Sequence, residues 1–162
     1  MAEQTYKCAF KHCKHESCEV SQDCAIKINK RYFHKDCAEI YKNIEDIKAL
    51  YYEKISNTVV VSNLMSVINN IIFKKGVDSN YFLFALKYAI STNRRINYPQ
   101  GLHYIVDDYR IKKLWTKKQS QKIALEIKNA EDIDEAKTEE TQTFKFSVDK
   151  QGGFGSILKG GV

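Results

Sequence analysis

Cys8, Cys13, Cys18, Cys24 and Cys37 are the only cysteines of the chain, and all fall within the first 37 of its 162 residues. His12, His15 and His34 lie among them, leaving His103 as the one histidine elsewhere. Thiols and imidazoles crowded in this way can form disulfides, carry out nucleophilic or redox chemistry, or ligate a metal. Five is an odd count, which a disulfide framework would leave unpaired. The Met1 end is polar, with no apolar leader, and no apolar run approaches the ~18–20 residues of a membrane span. This predicts a cytoplasmic protein with no membrane partner, and the cytoplasm keeps thiols reduced. Metal ligation is the remaining chemistry.

A structural zinc site takes four nitrogen or sulfur ligands, commonly from two short-spaced pairs. Cys8-x4-Cys13 is one such pair, and His34-x2-Cys37 is the other. The expected quartet is therefore Cys8, Cys13, His34 and Cys37. The spacing leaves alternatives open. Cys13-x4-Cys18 is an equally good knuckle, and His15-x2-Cys18 repeats the spacing of His34-x2-Cys37. Cys18 or Cys24 could replace Cys8, and His12 or His15 could serve a second, partial site. The segment is rich in Lys, His, Glu and Gln and has little core of its own to offer. A bound Zn2+ would supply the folding free energy it lacks. Three cysteines and a histidine fill the coordination shell, whereas a catalytic zinc keeps a position open for water. Neither H-E-x-x-H nor the deaminase pattern H-x-E with a later P-C-x-x-C occurs. The expectation is structural zinc in a protein that is not an enzyme.

Several elements must position these ligands. CAIKINKRYFH reads as two short strands, Ala25–Ile28 and Arg31–His34, around an Asn29-Lys30 turn. After Cys37 the period becomes helical, with Ile40, Ile44, Ile47 and Tyr51 on one stripe. The order is knuckle, hairpin, then a helix whose first turn carries two ligands. That order resembles a treble-clef zinc finger, or half of a LIM-type module.

Downstream the chain reads as a helical bundle. The first helix spans about 35–55 and stops at Ser56-Asn57; a second spans about 59–74, with Val61, Leu64, Met65, Ile68, Ile71 and Ile72 on its stripe and Gly76 as its stop. Asp78 or Ser79 caps a third helix, NYFLFALKYAIS, which is apolar nearly all round and belongs at the centre. Pro99 suits the first position of a fourth, whose buried side is marked by Leu102, Ile105, Val106 and Tyr109. That helix either runs to Lys128 or breaks near Thr116. The fold class is mostly α with a small β-hairpin, laid out as a knuckle and hairpin over 1–37, continuous with a helical bundle over 38–130, and a flexible tail over 131–162. The tail begins as an acidic linker, then has a strand-like TFKFSVDK and a glycine-rich end. Its Phe144, Phe146, Phe154, Ile157 and Leu158 are available to dock on the body or on a partner.

Charge divides along the same line. Residues 1–130 carry 22 basic and 13 acidic side chains, and residues 131–162 carry 4 and 7. A basic body points to an anionic partner: nucleic acid or an acidic protein face. The segment YRIKKLWTKKQSQK, residues 109–122, concentrates that charge around the only tryptophan. Basic side chains interleaved with aromatics suit a phosphate backbone or an acidic groove. The candidate partner-binding residues are Arg110, Lys112, Lys113, Trp115, Lys117 and Lys118.

A lysine-, isoleucine- and asparagine-rich chain with a single proline reflects AT-rich coding, as in low-GC bacteria and their mobile elements. With a knuckle ending in YFHKDC, followed by VINNIIFKKGVDSNYFLFALKYAI and NYPQGLHYIV, the chain resembles small zinc-binding proteins of phages and mobile elements of such bacteria. That group includes anti-CRISPR proteins. The resemblance implies an inhibitor that binds a type II Cas9, or Cas9 with its guide RNA, in the host bacterial cytoplasm without doing chemistry. Residues 80–118 also resemble the helical module of DnaD-type primosomal proteins. Ala85 and Ala89 match its first helix, and Tyr98, Ile105 and Trp115 its second, at wider spacing. That resemblance implies a DNA-binding replication or regulatory protein.

Overall fold

The computed structural model describes residues 5–140, with side chains over 5–127. Its strands are β1 (Thr5–Lys7), β2 (Glu19–Ser21), β3 (Ile26–Ile28) and β4 (Arg31–Phe33). Its helices are α1 (Lys35–Lys54), α2 (Val61–Asn69), α3 (Ser79–Ser91), α4 (Gly101–Asp107) and α5 (Tyr109–Glu140). The fold is mostly helical with small N-terminal hairpins, as the sequence indicates. The chain divides into two compact units after Gln119. Among the described residues no helix is long and apolar enough to cross a membrane.

The anticipated hairpin pairs Ile26 with Phe33 and Lys27 with Tyr32. Asn29 and Lys30 take φ of 47° and 64°, the doubly left-handed turn whose twist matches that of the strands it joins. A second hairpin, β1 with β2, sets Tyr6 opposite Val20. Sequence reading misses it, because three residues per strand are too few for a period-2 signal. The Tyr6 ring stacks on Tyr32 at 3.8 Å and ties the two hairpins together. A lone two-stranded hairpin is marginal in water, so both depend on what they pack against.

That support is α1. Ile44, Ile47 and Tyr51 are buried on the expected stripe. The helix packs on α3, whose Phe82, Ala85, Leu86 and Ala89 are fully buried. Asn43 fixes the register of the pair, because its amide donates to Ser79 Oγ and Asn80 Oδ1, both at 2.9 Å. Asp78 is the N-cap of α3 and accepts from the Tyr81 amide at 2.8 Å.

The helices differ from expectation at several points. Val61 is exposed rather than buried, because α2 starts there and its first turn lies outside the core. The second helix ends in a π-helical turn, Asn70–Lys74, and Ile71 and Ile72 are buried there as expected. The fourth helix neither starts at Pro99 nor reaches Thr116. Pro99 sits in the preceding turn, and α4 stops at Asp107 because Asp108 is extended, with ψ of 117°. The Asp108 carboxylate then accepts from the Arg110 and Ile111 amides and begins α5. The break turns Tyr109 outward, to 75% exposure, while Leu102, Ile105 and Val106 stay buried. Residues 131–140, expected as a linker, continue α5; their Glu, Ala and Lys content favours helix. The strand expected at 143–150, the glycine-rich end and the tail's apolar residues lie outside the described residues.

Two stability measurements follow. Lys30→Gly removes a side chain from a left-handed position, and should raise the urea midpoint by the equivalent of about 0.5–1 kcal/mol, since the strain relieved exceeds glycine's entropic cost. Asp108→Ala should cost about 1 kcal/mol through the lost cap. The Arg94 guanidinium beside Asp108, helped by the two amides and opposed by partial burial, holds its carboxyl below the usual range. A depressed carboxyl stabilises fully above its unfolded pKa and loses that effect as pH falls through the folded one. The gap between wild type and Asp108→Ala should therefore narrow in urea melts below about pH 4.

Candidate metal centre

Cys8, Cys13, His34 and Cys37 meet at one point, with all four donor atoms within 4.8 Å of one another. Each is placed by a different piece of local structure. Cys8 follows β1, and its amide extends the first hairpin by donating to the Cys18 carbonyl at 2.7 Å. Cys13 lies in the knuckle, where its amide closes a turn onto the Phe10 carbonyl at 3.1 Å. His34 follows β4 as the N-cap of α1, and Cys37 lies one turn into that helix.

The His34 ring is oriented through its far nitrogen. Nε2–H donates to the Glu19 carbonyl of β2 at 3.1 Å. That aims Nδ1 at the thiols, 3.5 Å from Cys13 Sγ and 4.0 Å from Cys37 Sγ. A ring that anchors one nitrogen on a backbone carbonyl and offers the other is the usual disposition of a metal-bound histidine. The spacing also fits a metal. Bonds of about 2.0–2.3 Å place tetrahedral donors about 3.5–3.8 Å apart.

Burial makes the quartet an awkward place for free thiols. Cys8 and Cys37 are buried, and Cys13 and His34 are half-buried. Burial first, then hydrogen bonding to Cys13, pushes the Cys37 thiol up to about 12. Burial also works against ionisation of Cys13, but the His15 amide and the surrounding thiols outweigh it and hold Cys13 below its ordinary value. Within the cluster the Cys13 thiol is thus shifted toward ionisation and the Cys37 thiol away from it. A bound cation would release that conflict by replacing the protons.

The other knuckle residues separate cleanly from the quartet. Cys24 is exposed. The Cys18 thiol reaches the His15 carbonyl at 3.4 Å, and its hydrogen bonding to Cys13 raises its pKa. His15 stacks on the His34 ring at 3.8 Å, and His12 stacks on Phe73 at 3.9 Å. The knuckle is also less polar in its fold than in its sequence. Phe10, Val20 and Phe33 are buried, and Phe10 meets Phe73 at 5.9 Å. Isolated apolar residues in a charged segment give no periodic signal, so only packing discloses them.

The six basic-segment residues lie on α5 and do not act alike. Trp115 is half-buried against Phe84 at 5.2 Å and Tyr81 at 6.0 Å. Lys118 sits over the Phe84 ring at 5.2 Å, and Lys112 is 3.9 Å from Asp107. Arg110, Lys113 and Lys117 recur at helical spacing on the exposed side, and their side chains have no ion-pair partner among the described residues. Tyr109 stands beside them, exposed. His103 is half-buried and far in sequence from the quartet.

No protein-family model matches the chain, and no curated protein or solved structure matches it significantly. The structure itself is that of a small helical protein with a Cys3His cluster able to hold a metal ion.

The cluster should take up one metal ion per chain. Cys8→Ser or Cys37→Ser should weaken Co2+ binding by about 100-fold or more, beyond the 10–100-fold that removal of a supporting partner costs. Cys24→Ser should leave it unchanged. Cobalt absorption bands read the number of thiolates directly, and an unaltered spectrum in Cys8→Ser would remove that residue from the quartet.

Proposed function

We propose that the chain is a non-enzymatic binding protein, of the kind phages and mobile elements carry, whose zinc ion is structural. Zinc suits three thiolates and an imidazole at tetrahedral spacing, and four protein ligands leave no position for water or substrate. The ion does the work of a core. It fastens two marginal hairpins to α1, and α1 carries the helical body.

The function then lies on a surface, and the observation that carries it is the row Arg110, Lys113 and Lys117 on α5, with Tyr109 at its head. Cations that the fold leaves unneutralised are available to an anionic partner. Taken with the resemblance to anti-CRISPR proteins, this favours inhibition of a type II Cas9, or of Cas9 with its guide RNA, by protein contact in the bacterial cytoplasm. A second reading has its own support. Ala85 and Ala89, the alanines that match the primosomal module, are fully buried in α3. On that reading the same row binds duplex DNA.

A pull-down with the zinc-loaded full chain separates the two. Cas9–guide RNA should be retained at moderate salt, and the triple variant Arg110→Ala, Lys113→Ala, Lys117→Ala should retain it at least tenfold less. Salt-sensitive retention of duplex DNA with no Cas9 would establish the second reading instead. The salt slope would then fall by up to about 2.7 in the triple variant, at about 0.9 for each phosphate no longer neutralised. Retention of neither would sink both.

A further inference from the structure

A cavity of about 380 Å³ lies between the knuckle and the helical body, and it shares only Cys37 with the metal quartet. Its apolar lining is Phe10, Ile40, Ile72, Phe73 and Val77. Its polar lining comes from two places of opposite charge. The knuckle contributes Lys14, with His12 and His15. The helix starts contribute Asp36, in the first turn of α1, and Asp78, the N-cap of α3. Lys14, Asp36 and Asp78 are exposed, and none has an ion-pair partner among the described residues. Asp78 uses one oxygen to cap the Tyr81 amide at 2.8 Å. Ser79, the next residue, also lines the cavity and is only 4% exposed. Its hydroxyl accepts from the Asn43 amide at 2.9 Å, while its own hydrogen has no acceptor among the described residues. A buried O–H is thus left to donate to an acceptor in the cavity.

We propose that this cavity binds a free α-amino acid with a large apolar side chain. Such a molecule carries its ammonium and its carboxylate on one carbon. Asp78 and Ser79 set an acceptor and a donor side by side in the same way, at consecutive positions on the wall. The ammonium meets Asp78 and Asp36, and the carboxylate meets the Ser79 hydroxyl and Lys14. Hydrogen bonds with a charged partner are about twice as strong as neutral ones. The side chain then lies among Phe10, Ile72, Phe73 and Val77. Small-molecule pockets run from about 300 to 1,000 Å³, so this one suits a ligand of amino-acid size rather than a larger cofactor. An apolar anion would face two unpaired carboxylates, and an apolar amine would leave Lys14 and the Ser79 O–H unanswered. The bound zwitterion joins Lys14 of the knuckle to Asp36 and Asp78 of the helical body. It braces the contact that His12 and Phe73 make at 3.9 Å, and it stabilises the folded chain by mass action. This site is independent of whichever partner α5 takes.

The test titrates L-phenylalanine into the zinc-loaded full chain by calorimetry and follows the amide shifts by NMR. One molecule should bind per chain, with the largest shifts at Phe73, Val77 and Ser79. Phenethylamine lacks the carboxylate, 3-phenylpropionate lacks the ammonium and L-alanine lacks the apolar body; each should bind at least tenfold more weakly. Lys14→Ala and Asp36→Asn change exposed side chains, so both should keep one zinc per chain and lose at least tenfold in affinity. Lys113→Ala, on α5, should bind as wild type. The analogue series uses wild type alone and decides the matter even where a variant fails to fold. No heat and no shifts with millimolar L-phenylalanine would overturn the proposal. Equal binding of phenethylamine or 3-phenylpropionate would do the same, as would unchanged affinity in both variants or shifts confined to α5.

Discussion

The rest of the molecule depends on the convergence of four donors at the start of α1. His34 and Cys37 belong to the helix, whereas Cys8 and Cys13 belong to a loop more than twenty residues upstream. The strands between them are three residues each and bury few side chains. Such hairpins hold together only when something fixes both ends. Here one end is fixed by apolar pins, Phe10 and Phe33, and the other by the donor cluster. The same helix then presents Ile44, Ile47 and Tyr51 to α3. A segment with almost no core and a segment that is nearly all core thus share one element.

Electrostatics and burial conflict inside the cluster and agree outside it. Within it, burial pushes the Cys37 thiol up, while the Cys13 thiol is held below its ordinary value. At the junction of α4 and α5 the charges settle each other. Lys75 and Lys112 face Asp107, and Arg94 faces Asp108. Both carboxyls are held low, chiefly by their hydrogen bonds to Lys75 and Arg94, and Asp108 serves at once as ion-pair partner and helix cap. On that part of α5 the row Arg110, Lys113 and Lys117 has no ion-pair partner among the described residues. The contrast separates charge that builds the fold from charge that is available to a partner.

Much of this is legible in the residues alone. The two ligand pairs, the Asn29-Lys30 turn, the stripe of α1 and the Asp78 cap are all local patterns. Each is set by backbone conformation or side-chain period within a few residues. The departures are also of one kind. Val61 and Tyr109 fit an apolar stripe by period but sit on ends that face solvent. The first hairpin and the buried Phe10 leave no periodic trace. The break at Asp108 follows from a carboxylate that finds two amides and Arg94 at once, and the arginine lies fourteen residues away.

The sequence by itself determined the donor types, their pairing by spacing, the helical content and the uneven charge, because these depend only on neighbours along the chain. Five cysteines and three histidines allowed several quartets, and no spacing rule could choose among them. Tertiary structure chose, by carrying β2 alongside His34 so that the Glu19 carbonyl takes one ring nitrogen and turns the other toward Cys13 and Cys37. It likewise decided which lysines of α5 are engaged by Asp107 or Phe84 and which face outward. Those outcomes depend on residues distant in sequence meeting one another, and they meet only once the chain has folded.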